Sequence, residues 1–194
     1  MSILIDSTCE SDIDTLVAAI EAKDVYNRGH SENVTKFALE MARAMQLSPN
    51  DMWLLTCAGK LHDMGKIAIS GAILNKKGPL TAEEWKEMKM HPVRGAEMLS
   101  NFLFMEGCLP IIRHHHERYD GEGYPDGLKG EEIPLLARIL GCADAFAAMT
   151  SDRAYKPKIS LKDAIRELEV NKGKQFDPHI VDVFIEGLIS RQPE

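Results

Sequence analysis

The stretch Val34-Thr35-Lys36-Phe37-Ala38-Leu39-Glu40-Met41-Ala42-Arg43-Ala44-Met45 decides the fold class. Its apolar residues Val34, Phe37, Ala38, Met41 and Met45 recur at i, i+3, i+4, i+7 and i+11, a spacing that puts them on one face of a helix. The same spacing returns in nearly every segment, and strand-like alternation is nearly absent. Helix starts are also marked chemically. Ser48-Pro49-Asn50-Asp51 puts a cap before a proline, Thr81-Ala82-Glu83-Glu84 reads as a capping box, and Ser160 and Asp177-Pro178 repeat the signal. Together these cues predict helices near 11–23, 30–46, 50–63, 81–89, 92–101, 106–117, 133–149, 160–170 and 178–190, and therefore an all-α fold. Two irregular connections are expected, Ile67 to Leu80 and Asp120 to Pro134, the second carrying Gly121, Gly123, Gly127 and Gly130. Loops of that length in a compact domain tend to be functional.

With 194 residues, 44% of them hydrophobic, the chain has material for one core. We expect a short extension over 1–11 and a single domain over 12–190. The net charge of -7 argues against duplex nucleic acid as a partner, because that binding rests on neutralising phosphates with Lys and Arg. Cys9, Cys57, Cys108 and Cys142 lie far apart and form no CxxC pair, so neither a zinc knuckle nor a disulfide framework is indicated. The opening Met1-Ser2-Ile3-Leu4-Ile5-Asp6 lacks the basic start and apolar run of a signal peptide, and no run of about eighteen uncharged apolar residues occurs. A cytoplasmic protein without membrane contact is expected.

His62-Asp63 begins the chemical reading, although chance alone supplies such a dipeptide about half a time in a chain of this composition. Its surroundings carry more. Lys66 follows His62 by four residues and Asp63 by three, so a helix continuing that far would put all three on one face. His91 precedes Pro92, a pairing expected of a cap and a first helical position. His115 and His116 are consecutive near the end of a predicted helix. Asp144 interrupts the apolar run Ile139-Leu140-Gly141-Cys142-Ala143-Asp144-Ala145-Phe146, where an unpaired carboxylate is costly to bury and a bound cation would relieve the cost. With His30, these residues make seven candidate ligands: His30, His62, Asp63, His91, His115, His116 and Asp144. That is too many for one tetrahedral ion, whereas two ions sharing a carboxylate accommodate them. Imidazole with carboxylate suits iron, manganese, nickel or zinc.

The chain resembles the HD-GYP domains, a bacterial branch of the HD phosphohydrolase superfamily. The likeness lies in His62-Asp63-Met64-Gly65-Lys66-Ile67, in His91-Pro92-Val93-Arg94-Gly95, and in His115-His116-Glu117-Arg118-Tyr119-Asp120-Gly121-Glu122-Gly123-Tyr124-Pro125, which fits HHExxDGxGYP at every fixed position. Gly29-His30-Ser31 and the segment from Asp144 to Lys156 also fit. The resemblance implies a single helical bundle with a dinuclear centre that hydrolyses cyclic di-GMP to linear pGpG or onward to GMP. By the same resemblance Asp63 is the bridging ligand, His30, His62 and Asp144 serve one ion, and His91, His115 and His116 serve the other. Lys66 contacts the scissile phosphate or the bridging hydroxide, Arg153 and Lys156 act as phosphate clamps, and Gly123 and Tyr124 border the substrate. Two divalent or mixed-valence ions are implied, iron or manganese first, with nickel or zinc as alternatives. A GGDEF-domain partner at the GYP loop is also expected.

The sequence departs from the family pattern in three places. Ser70-Gly71 follows Ile69 where many members have Pro-Asp, and Ala147 stands where many have Asp, so loop shape and substrate fit are affected more than metal binding. Tyr26 occupies the place of a Glu found in members with a third metal, which favours two. The rival readings are a non-catalytic module that binds a cyclic dinucleotide or a GGDEF partner, and a hydrolase of another cyclic dinucleotide or a nucleoside phosphate. Taken singly, His30 could cap a helix beside Ser31, and Lys66 could be a cation at a helix end. His114 and His179 are read as bystanders, the first facing solvent or supporting a ligand.

Overall fold

Apolar stripes with helical spacing bury themselves against one another. The computed structural model of the chain describes residues 7–23, 29–151 and 158–190, and is built of helices and turns with no strand among them. The helices are α1 (Ser7–Lys23), α2 (His30–Ala44), α3 (Pro49–Leu61), α4 (Gly71–Leu74), α5 (Ala82–Met88), α6 (His91–Leu99), α7 (Leu109–His114), α8 (Leu135–Thr150), α9 (Leu161–Val170) and α10 (Pro178–Ile189). The all-α expectation holds. None of the described helices is long and apolar enough to cross a membrane.

The stripe on α2 becomes its inner face, with Val34, Ala38 and Met41 fully buried and Phe37 and Met45 packed at the margin. α2 lies against α3, α8 and α10. Phe37, Phe146 on α8 and Phe184 on α10 meet edge to face, with ring centroids 4.8, 4.9 and 6.0 Å apart, a geometry that matches positive ring edges to negative faces. The capping signals are used as read. The Ser48 side chain accepts from Asp51 N at 3.1 Å, Thr81 from Glu84 N at 3.3 Å, Ser160 from Asp163 N at 3.1 Å and Asp177 from His179 N at 2.9 Å.

Several boundaries differ from expectation for local reasons. α3 stops at Leu61, and Met64–Ala68 forms a tighter 3-10 turn, so Lys66 is not carried on a continued α-helix. The helix expected over 106–117 is broken: Leu103–Cys108 is 3-10, and α7 starts afresh with Pro110 in its first turn and ends at His114. Proline lacks the N–H and crowds the preceding turn, so a continuous helix through it is disfavoured. α6 begins at His91 after an N-cap at Met90, so His91 lies inside the helix and does not cap it. α2 is preceded by Gly29 in the left-handed region, φ 73°, and His30 is its first residue and not its cap. The connection after Ile67 contains the short α4, capped by Ser70, whose hydroxyl accepts from Ile73 N at 3.4 Å. Tyr26, Arg153 and Lys156 lie outside the described residues.

Gly65 fixes how the 3-10 turn meets α6. A Cβ there would stand 1.9 Å from the His91 carbonyl oxygen and 2.6 Å from Gly95 N, both rigid backbone atoms. Gly65→Ala should therefore destabilise the fold by about 1–3 kcal/mol through overpacking. Gly187→Ala on α10, where an added Cβ meets nothing within 4 Å, should be neutral or stabilise by up to about 1 kcal/mol. Paired urea titrations check this, and coincident midpoints would show that the turn and α6 yield to the methyl.

Candidate metal centre

A helix leaves its last carbonyls without partners, and three histidines fill that need. His62 Nδ1 lies 2.8 Å from Gly59 O near the end of α3, His91 Nδ1 2.9 Å from Met88 O at the end of α5, and His115 Nδ1 2.6 Å from Ile112 O near the end of α7. A carbonyl can only accept, so each Nδ1 carries a proton, and in the neutral ring Nε2 then presents a lone pair. His91 Nε2 and His115 Nε2 are buried and have no hydrogen-bond partner. Acceptors left so are costly unless a cation takes the lone pairs. The donor set fits a metal ion.

Asp63 is 3% exposed and lies among these rings. Its Oδ1 is 3.4 Å from His91 Nε2, while Oδ2 is 3.5 Å from His62 Nε2 and 2.7 Å from Lys66 Nζ. His30 Nε2, at the start of α2, is 2.9 Å from Asp144 Oδ1 on α8. Ligand atoms of His30, His62 and Asp144 lie within 4.8 Å of one another, as do those of His91, His115 and His116, and those of His62, Asp63 and His115. All seven residues singled out in the sequence are thus brought together from five places in the chain. Gly141 permits the closure of α8: one turn before Asp144, it is where a Cβ would stand 2.6 Å from the His115 carbonyl oxygen.

Electrostatics keeps the groups in ligating form. Burial lowers the pKa of His91, lowers that of His115 well below the usual value and takes His116 to about 3, with neighbouring imidazoles reinforcing the last two. For Asp63, burial alone would raise the pKa, but Lys66, then His62 and His91, outweigh it and hold the carboxyl well below its usual range. Asp144 is likewise lowered against its burial, by the His30 hydrogen bond first and then by the neighbouring imidazoles of His62, His30 and His116.

A pocket of about 450 Å³ opens beside the cluster, lined by His115, His116, Asp144, Gly123 and Tyr124 among others. The Tyr124 ring lies 4.9 Å from the His116 ring, and Tyr124 N donates to His116 O at 3.2 Å. Glu117, whose role the sequence did not reveal, holds the glycine-rich loop: its buried Oε1 accepts from Asp126 N at 2.7 Å and Gly127 N at 3.1 Å. Arg113 grips the same loop through Asp126 with two bonds of 2.8 Å. His114 Nδ1 stands 3.5 Å from Asp126 Oδ2 and 3.7 Å from Glu117 Oε1, so it faces the loop's anchor and not solvent. Trp85, Lys89 and Gln175 also line the pocket and carried no sequence signal, since a lone residue of each type is ordinary on a surface. Cys57, Cys108 and Cys142 are buried as free thiols.

The HD domain family matches residues 14–180. Over 175 residues the chain is 43% identical to the cyclic di-GMP phosphodiesterase response regulator RpfG of Xanthomonas campestris pv. campestris, covering 89% of this chain and 46% of that protein. It is 40% identical over 167 residues to a cyclic di-GMP phosphodiesterase of Thermotoga maritima, covering 85% of this chain and 45% of the relative. It is 35% identical over 173 residues to the 3'3'-cGAMP-specific phosphodiesterase 2 of Vibrio cholerae, covering 88% and 33%. The chain therefore spans half or less of the length of these curated relatives. Among solved structures, a Vibrio cholerae cyclic GMP-AMP specific phosphodiesterase superposes with a TM-score of 0.71 at 21% identity, over 92% of this chain and 49% of that one, a likeness of fold.

The neutral histidines set an acid limit on the metal-free fold. Unfolded imidazoles titrate near about 6.5, above the folded values of His91, His115 and His116. Below that pH the unfolded chain holds more protons than the folded one. The stability these groups contribute is therefore present above about pH 6.5 and is lost as pH falls towards the depressed folded values, by up to about 1.4 kcal/mol per unit per group. Urea midpoints measured in chelator should fall between about pH 7 and about pH 5, and a flat profile would contradict the neutral assignment.

Proposed function

This chain belongs to the HD domain family, and we propose that it is a metal-dependent phosphodiesterase that opens a cyclic dinucleotide, cyclic di-GMP first among them. Asp63 carries the reading: a buried carboxylate with one oxygen towards His62 and the other towards His91, grouped within 4.8 Å with His115, which lines a pocket in the size range of small-molecule sites. In this reading His30, His62 and Asp144 hold one ion, His91, His115 and His116 hold a second, and Asp63 reaches both. Iron or manganese suits the set, which contains no thiolate. Bound there, the ions supply Lewis acidity, activating water and neutralising phosphoryl charge.

The chain's own residues orient and protect. Lys66 keeps Asp63 ionised and offers its ammonium, about a fifth exposed, to the scissile phosphate. The phenol of Tyr124 stays protonated, because burial and then the charges of Asp144 and Asp63 raise its pKa, so it remains a donor at the pocket wall. Gly123 gives the loop its close approach: a Cβ there would stand 2.3 Å from Arg118 N. Arg153 and Lys156, nine and twelve residues after Asp144, are proposed as phosphate clamps on sequence alone. Hydrolysis breaks one P–O3' bond; water adds its oxygen to phosphorus, and a proton ends on the sugar oxygen, leaving a linear dinucleotide with a 5' phosphate. A second cut gives mononucleotides. The names of the relatives support the substrate class, and the cGAMP-specific ones keep a mixed guanine–adenine ring as the second reading.

Metal analysis of anaerobically purified protein should find about two ions per chain. Asp63→Asn should lose metal and about 10³-fold or more in kcat on cyclic di-GMP, while Lys66→Met should keep metal and lose about 10²-fold. Intact cyclic di-GMP and cGAMP after incubation with the metal-loaded wild type would overturn the enzyme reading in favour of a binding module.

A further inference from the structure

The pocket wall facing the glycine-rich loop comes from the end of α5. Trp85 and Lys89 are four residues apart, so they share a face, and both line the pocket with His115, His116 and Tyr124. Lys89 is held in place by the same junction that sets the candidate ligand His91, since its N–H donates to Trp85 O at 3.0 Å and the neighbouring Met88 carbonyl takes the His91 ring. Three described cationic side chains line the pocket. Arg118 is engaged by Asp120, with bonds of 3.1 and 2.6 Å, and Arg138 by Asp177 at 2.5 Å. Among the described residues the Lys89 ammonium makes no hydrogen bond and no ion pair, although it is only half-buried in an acidic protein. Trp85 is 48% exposed, unusual for so large an apolar ring. Its ring stands 6.4 Å from that of Tyr124, which stands 4.9 Å from His116, so an aromatic wall runs outward from the candidate metal ligands.

These chemistries answer the two parts of a cyclic dinucleotide that lie away from the reacting phosphorus. Resting on the function proposed above, we propose that Lys89 contacts the phosphate that is not being cleaved and that Trp85 stacks on one of the purine bases. An unpaired ammonium binds phosphate as a point charge, and an exposed indole offers a π face on which a base can stack. Neither group touches the bond that breaks. Their contacts are alike in ground and transition states, so they set KM and leave kcat alone.

The test compares Lys89→Met, Lys89→Arg, Trp85→Ala and Trp85→Phe on cyclic di-GMP and on bis(p-nitrophenyl) phosphate, a phosphodiester with no second phosphate and no purine. Lys89→Met and Trp85→Ala should each raise KM for cyclic di-GMP about 10-fold with kcat within about twofold. The Arg and Phe variants should recover most of that loss. The drop in kcat/KM on the aryl diester should be several-fold smaller than on cyclic di-GMP. Equal losses on both substrates, a fall in kcat at constant KM, or wild-type KM in both truncations would overturn the assignment while the phosphodiesterase reading stands. A wild type that cleaves the aryl diester and no cyclic dinucleotide would overturn both.

Discussion

A carboxylate in the dry interior of a helical bundle is the constraint on which this structure depends. Asp63 is almost wholly buried, and burial by itself pushes its proton on. Lys66 at 2.7 Å and the two imidazoles flanking it reverse that tendency, so the group stays charged where charge is expensive. The surrounding helices are arranged around this need. α3 ends at the residue before His62, and the chain turns tightly through Met64–Ala68 so that Lys66 folds back onto Asp63.

The histidines solve a second problem at the same time. Each helix end exposes carbonyls that must be bonded, and three of the candidate ligands, His62, His91 and His115, each bond one of them through Nδ1. The bond that finishes the helix is the bond that aims Nε2 at the centre. Site and scaffold are therefore not separable here: loss of such a bond would loosen a helix terminus and turn a ligand away together. The imidazoles stand close, with ring centroids of His62 and His115 at 5.2 Å and of His91 and His116 at 5.0 Å. Charged, they would repel one another. Neutral, they form a concentrated array of lone pairs.

The pocket belongs to a different layer of the structure. Its loop is tied by Glu117 and Arg113 from below and by backbone bonds from Tyr119 and Asp120 to the turn at Gln175 and Lys174. The long glycine-rich connection is thus held at several points, and the side chains it presents sit at defined distances from the candidate ligands. The family departures at Ser70-Gly71 and Ala147 find structural roles outside this wall: Ser70 caps α4, and Ala147 is buried on the inner face of α8.

The helical class, the caps and the ligand types were legible in the sequence because they rest on local rules: side-chain periodicity, side chains that bond the first N–H groups of a helix, and the donor chemistry of His and Asp. Val34, Ala38 and Met41 read correctly as core for that reason. Lys66 was legible as a neighbour of Asp63, although by a 3-10 turn and not by the helix that spacing suggested. What the sequence could not supply was anything fixed by the approach of distant segments. The contact of Gly65 with the backbone of α6, the closure of Gly141 on His115, the loop-holding carboxylate of Glu117 and the placement of Trp85 and Lys89 in one pocket with His116 all depend on how separate segments pack. Local preference names the groups that can bind a metal or a phosphate; only packing decides which of them face the same few ångströms of space.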